Sequence, residues 1–502
     1  MDVRKLAGGV ICVGFDGTKI DDTLASALRT LMPAGVALFG RNTVSFEQTR
    51  ALTVQLRAIF GVEPPPIIAI DQEGGRVARL QDGVSQIPSM MALGACADPD
   101  LARRAGRQMG FDLRRCGVNL DFAPCLDLAL CAENTVIGTR SFGSDPQAVA
   151  RIAGALSEGM RESEVLPTFK HFPGHGSTSQ DSHLGLPSLD LDAATLRARD
   201  ILPFATLLPQ ADAVMTAHII IQAIDARNPA TLSSMVLGGV LRGELGFGGV
   251  CFTDCMQMDA IAKSVGSARG AVLALVAGAD CVTISHSIDL ANESVDRLVA
   301  AVESRELPLS RLREAYDRIA RLRWFLASPL APETVPPDAG VGREIARRAV
   351  TLLRGTSRVD PRTAAVVSFE GTTQEGVIGI HSAHASLADA AGIDIPEYRL
   401  ALQPQPDALA AVIGALTEDD LRPIVLTRRA HIYPEQADAI SRLIKAKPDA
   451  MLVSVREPFD TRCFPQARTA VCTYGDERVS LEGLSDVIFG GVAPTGELPV
   501  SL

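Results

Sequence analysis

The chain is 502 residues long, 47% hydrophobic and 21% charged, a composition that can bury a large core and excludes extended disorder. Its 48 basic against 59 acidic residues leave a net charge of -11, which gives no overall pull towards nucleic acid or an anionic membrane. With 4% aromatic residues and one Trp, it has little material for the stacked platforms that hold single strands or long polymer chains.

The N-terminus, MDVRKLAGGVICVGF, has a basic start but only a short, Gly-interrupted apolar run, so it reads as the approach to a strand rather than a leader. Short β-branched runs then recur: VICVGF (10–15), VALFG (36–40), IIAID (67–71), NLDFAP (119–124), LPTFKH (166–171), AVMTAH (213–218), VCFTD (250–254) and CVTIS (281–285). Between them lie patterns such as DPDLARRAGRQMGFDLRRC and DPQAVARIAGALSEGMRES, whose apolar residues recur at three and four and whose Asp-Pro starts suit helix N-termini. Eight strand–helix alternations over residues 1–326 predict a (β/α)8 barrel of the TIM type, with an open doubly wound sheet as the alternative. The first strand is not followed by the GxGxxG that would favour a dinucleotide fold.

The Pro-rich stretch 327–340 disfavours helix and sheet and predicts a linker. After it, a helix is expected over 343–355, followed by strands at 364–369, 424–428, 451–455 and 470–474. This alternation over 341–502 predicts a smaller α/β sandwich domain. His381 and His384, near its start, read as surface residues. The 10 Cys show no CxxC and no tight spacing, so reduced thiols in a cytoplasmic protein are expected. No run approaches the roughly 18 apolar residues of a membrane span.

A barrel builds its site at the C-terminal ends of its strands, and polar residues collect there: Asp71, Lys170, His171, His218 and Asp254. The densest cluster is KHFPGHGSTSQDSHLGLP (170–187), a polar loop leaving a strand. His171, His175 and His183 lack HExxH spacing and a Cys partner, so acid/base work is favoured over a metal. Asp181 and His183 stand two residues apart, a spacing at which a carboxylate can fix one imidazole nitrogen and leave the other for a substrate. Asp254 ends a strand where a helix begins, in a position that suits an anionic nucleophile. The third cluster, IAIDQEGGRVARL (68–80), supplies Asp71, Glu73, Arg76 and Arg79 around paired glycines, a set that can grip hydroxyl-rich ligands.

DQEGGRVARL, GTRSFGSD (138–145), KHFPGHG with DSHLGLP, MTAHI (215–219) and FTDCMQM (252–258), in that order, resemble glycoside hydrolase family 3 in its β-N-acetylglucosaminidase branch. The ending GGVAPTGELPVSL resembles the close of that family's second domain. The resemblance implies a retaining exo-enzyme needing no cofactor and no metal. Asp254 would be the nucleophile, His183 the acid/base and Asp181 its orienting partner. Asp71, Arg79, Arg140, Lys170 and His171 would bind a terminal N-acetylglucosamine, with His218 close by. Many members carry a second acidic residue after the nucleophile, where this chain has Cys255. The expected partner is a small amino-sugar glycoside rather than nucleic acid or membrane, and the second domain would pack beside the site or assist a homodimer. The resemblance further implies trimming of imported cell-wall fragments. A His acid/base would not repel phosphate as a carboxylate would, so phosphorolysis is the nearest rival, and a sugar-binding protein without turnover is the second.

Overall fold

The computed structural model describes residues 2–61, 64–178, 185–327, 338–370, 374–375, 379–380 and 385–502. Eight short strands carry the first domain: β1 (Ile11–Val13), β2 (Gly35–Leu38), β3 (Ile67–Ile70), β4 (Leu120–Asp121), β5 (Leu166–Phe172), β6 (Ala213–Thr216), β7 (Val250–Cys255) and β8 (Cys281–Ile284). Each pairs in parallel with its neighbours in sequence, and β8 closes onto β1. Parallel strands buried on both faces need continuous apolar runs rather than alternation. The sequences GVAL, IIAI and CVTI supply them, and every residue of the three is buried.

The Asp-Pro signals mark helix starts as expected. Asp98 caps Pro99–Arg115 by accepting from the amides of Asp100 and Leu101, and Asp145 caps Pro146–Glu162 through Ala148. These two helices pack closely because Gly106 and Gly159 leave room. A Cβ on Gly106 would run into the Leu156 carbonyl, and one on Gly159 into that of Arg103.

The second domain is built on a six-stranded sheet of β9 (Thr351–Arg354), β10 (Ala364–Glu370), β11 (Glu397–Ala401), β12 (Arg422–Thr427), β13 (Met451–Ser454) and β14 (Thr469–Cys472). Its order is β9-β14-β13-β12-β10-β11, parallel except for β9. Two apolar clusters lie in this domain, one containing Val367, Val425 and Leu452, the other Val366, Ile424 and Val453. Residues alternate along each strand between the two, so each face of the sheet has its own core.

Two expectations need correction here. The helix expected over 343–355 is Val341–Ala349, and Thr351 onwards turns into strand β9, where Thr351, Leu352 and Arg354 pair with Cys472, Val471 and Ala470. Strand β11 was not among the expected strands. It is an edge strand with exposed or half-exposed Glu397, Tyr398 and Arg399, so its sequence carries little apolar signal. Residues 328–337 of the Pro-rich stretch, together with His381 and His384, lie outside the described residues. Among the described residues, no helix is long and apolar enough to cross a membrane.

The domains touch along one side of the barrel. The Ser89 hydroxyl donates to the Tyr474 carbonyl at 2.7 Å, the Ser144 amide donates to the Pro499 carbonyl at 2.9 Å, and Arg348 pairs with Asp98 at 2.8 Å.

Candidate active site

The carboxyl ends of β3, β4, β5, β6 and β7 bring together Asp71, Asp121, Lys170 with His171, His218 and Asp254. Directly after Asp71 the chain turns back on itself, with Gln72–Gly74 pairing antiparallel to Val77–Ala78. Gly74 at φ +93° and Gly75 at φ +54° make this turn, and a Cβ on Gly75 would meet the Ser89 backbone at 2.8 Å. The turn places Glu73 inward, fully buried.

Glu73 organises a cluster of charges. The Arg140 guanidinium forks onto it, Nε to Oε2 at 2.8 Å and Nη2 to Oε1 at 2.7 Å, while Lys170 Nζ reaches Oε1 at 2.6 Å. Lys170 also donates to Asp71 Oδ1 at 2.6 Å, and Arg79 lies 3.7 Å from Asp71 Oδ2. Lys170 is 2% exposed, whereas the Asp71 side chain keeps 16%, so Asp71 is the member that opens towards solvent. Burial by itself would raise the Glu73 carboxyl, but Arg140 and Lys170 override it and hold Glu73 well below the usual range. Burial likewise works against the Lys170 charge, and Asp71 and Glu73 more than restore it. Asp121 behaves oppositely. It accepts from the Gln72 amide at 2.9 Å, but burial pushes its carboxyl well above the usual carboxylate range.

A second chain of contacts orients His171. Asp127 accepts from His171 Nδ1 at 2.6 Å, from the His175 amide at 2.6 Å and from the Cys125 thiol at 3.0 Å. A carboxylate held below its usual range only accepts, so Nδ1 carries the proton. Nε2 then presents its lone pair to Arg140 Nη2 at 3.4 Å. His175 is buried, which pushes its imidazole down to about 4 and keeps it neutral. Cys125, Asp127 and His171 bring ligand-type atoms within 4.8 Å of one another. Burial and Asp127 push the Cys125 thiol far up, so it sits there as a hydrogen-bond donor rather than a thiolate ligand.

Asp254 is partly exposed at the end of β7 and accepts from the Cys255 amide at 2.6 Å. His218 is fully buried behind it. Its Nε2 lies 3.0 Å from the Cys255 carbonyl, which can only accept, so Nε2 carries the proton. Its Nδ1 lies 2.8 Å from the Thr231 hydroxyl. Through these two contacts His218 braces the backbone that carries Asp254. Asp181 and His183 lie outside the described residues. Before them, His175 Nδ1 meets the Thr178 hydroxyl at 3.0 Å.

Sequence reasoning did not single out Asp127, the hub of the second chain. Its signal was weak, since it stands in an apolar loop, six residues past the end of β4. Only the approach of β4 to β5 brings it under His171.

A barrel whose mouth gathers carboxylates, a lysine, arginines and imidazoles into one polar pocket has the build of an enzyme for hydroxyl-rich small molecules. The family model described as glycosyl hydrolase family 3 N terminal domain matches residues 4–322. The chain is 41% identical over 285 residues to a protein named beta-hexosaminidase from Alkalilimnicola ehrlichii, covering 55% of this chain and 81% of that one. Among solved structures, a glycoside hydrolase family 3 β-N-acetylglucosaminidase from Paenibacillus sp. FPU-7 superposes with TM-score 0.92 at 33% identity, over 100% of this chain and 99% of its own. NagZ from Neisseria gonorrhoeae, solved with N-trifluoroacetyl-D-glucosamine, matches with TM-score 0.53 at 32% identity, over 64% of this chain and 98% of its own. The protein is a glycoside hydrolase. It belongs to glycosyl hydrolase family 3.

Proposed function

We propose that the chain is a retaining exo-β-N-acetylglucosaminidase, on the strength of one observation above the others. The Asp71–Lys170–Glu73–Arg140 cluster presents a single partly open carboxylate, backed by buried cations, across the barrel mouth from Asp254. Such a carboxylate accepts hydrogen bonds from the hydroxyls of one terminal sugar, and the names of the relatives given above support an amino sugar. In this reading Asp71, Arg79, Arg140, Lys170 and His171 form the sugar pocket, and His218 holds the nucleophile's backbone.

The Asp254 carboxylate attacks the anomeric carbon as the bond to the leaving oxygen breaks, and His183 gives that oxygen its proton. A water then attacks the same carbon, His183 takes its proton, and the bond to Asp254 breaks, which restores both groups and the original configuration. In this reading Asp181 orients His183. Asp254→Asn is expected to lower kcat at least about a thousandfold on 4-nitrophenyl N-acetylglucosaminide. His183→Ala is expected to slow an unactivated disaccharide much more than this activated substrate; equal effects on both would remove His183 from the acid role. Product analysis with and without phosphate checks the acceptor, since N-acetylglucosamine 1-phosphate would make the enzyme a phosphorylase. No release at any pH would leave a sugar-binding protein.

For the physiological substrate we propose small cell-wall fragments ending in N-acetylglucosamine, cleaved in the cytoplasm. All 10 cysteines are free, as suits a reducing compartment.

A further inference from the structure

The second domain reaches the charge cluster through one buried ion group. Strands β12 and β13 run parallel, and the loops at their carboxyl ends carry Arg429 and Glu457 to the barrel. Both side chains are almost fully buried. Arg429 grips Glu457 with Nε and Nη2, each at 3.2 Å, and Nη2 also donates to the Thr135 carbonyl of the barrel at 3.0 Å. From the barrel side, Arg76 donates to the same carbonyl at 2.8 Å and to those of Val136 and Ile137 at 3.1 and 3.3 Å. Glu457 lies against Gly138, whose φ is +43°, so closely that a Cβ there would strike its carboxylate. A little earlier, His431 Nε2 donates to the Ala132 carbonyl at 3.0 Å.

The segment 132–140 is thus held by the second domain at three points, and it ends in Arg140. That guanidinium is tied back to the Val136 carbonyl at 3.2 Å and forks onto Glu73. A shift of the segment would move Arg140 and, through Glu73, loosen Lys170 and Asp71. Buried charges bound at short distance transmit such a shift because neither partner can be left uncompensated.

We propose that Glu457 and Arg429 of the second domain are positioning residues for the sugar pocket, fixing segment 132–140 and hence Arg140 for a terminal amino sugar. The proposal rests on the function proposed above. Affinity for the sugar, more than the rate of bond cleavage, should depend on the clamp, because Arg140 acts through Glu73 and Lys170 on Asp71, which faces the ring and not the reacting oxygen.

Three variants of the full chain test it: Glu457→Gln, Arg429→Lys and, as comparator, Arg104→Gln. Arg104 makes an ion pair with Asp338 and Glu344 at another part of the domain boundary. Arg429→Lys keeps the charge beside Glu457, so it covers the case in which Glu457→Gln fails to fold. Both clamp variants are expected to raise KM for 4-nitrophenyl N-acetylglucosaminide and the inhibition constant of N-acetylglucosamine roughly tenfold, with kcat within about threefold of the parent. Arg104→Gln should leave all three constants unchanged. Hydrogen exchange, read without substrate, should show lost protection of amides 134–140 in the clamp variants only. Unchanged constants with unchanged exchange, or a lower melting temperature with parental KM, would overturn the proposal. If the parent neither cleaves nor binds the amino sugar, the functional reading has failed instead, and the exchange comparison still decides whether the clamp exists.

Discussion

Glu73 is the residue on which most of the pocket turns, since two cations share its buried carboxylate. Removing one partner of a buried pair leaves the others uncompensated, so Glu73→Ala is expected to cost about 3–5 kcal/mol in urea unfolding, far more than an exposed ion pair would. The same chemistry sets the acid response. Glu73 and Asp127 are held below their unfolded values near 4.5 and 3.8, so their stabilisation is complete above those values and is lost as pH falls through the lower folded ones. His175 adds to this slope. Its folded value of about 4 lies below the unfolded 6.5, so the unfolded chain binds the extra proton and stability falls between about pH 6.5 and 4. Melting temperature against pH checks this, and replacing His175 by Asn should flatten the curve between those limits.

The helices Pro99–Arg115 and Pro146–Glu162 pack through glycine contacts, and those contacts tolerate no side chain. Gly106→Ala is expected to destabilise the fold by roughly 1–3 kcal/mol through overpacking while KM stays at the parental value, which thermal melts alongside kinetics would show. How far elements were legible from sequence follows burial. Strands such as IIAI are buried on both faces and announce themselves as apolar runs, and Asp-Pro marks the helix starts. Edge strand β11, with Arg399 exposed and only Leu400 buried, does not. The end of the helix at Ala349 was equally hidden, because Thr351–Arg354 becomes strand only by pairing with β14, more than a hundred residues later.

The boundary between the domains is polar, and one of its contacts is a buried histidine whose imidazole is held above its ordinary value. Burial by itself would lower the His431 imidazole, but Asp460, bonded to Nδ1 at 2.6 Å, and then Glu457 raise it. A raised folded value gives stability that is complete below about pH 6.5 and lost as pH rises through that folded value. Exchange protection across segment 132–140 should therefore weaken as pH rises above about 6.5, and His431→Asn should remove that dependence. Much about the protein is determined by the sequence alone: eight buried strands, the polar residues that end four of them (Asp71, Lys170 with His171, His218 and Asp254), and the motifs that point to family 3. Those signals are local, set by hydrophobic pattern and spacing. What the tertiary structure decided is which charges meet. Asp127 comes under His171, the inward turn of Glu73 joins Arg140 to Lys170, and Glu457 and Arg429 of the second domain arrive at Thr135. Partners so far apart along the chain leave no mark on its periodicity, because burial and ion pairing between them are fixed only when the strands that carry them pack.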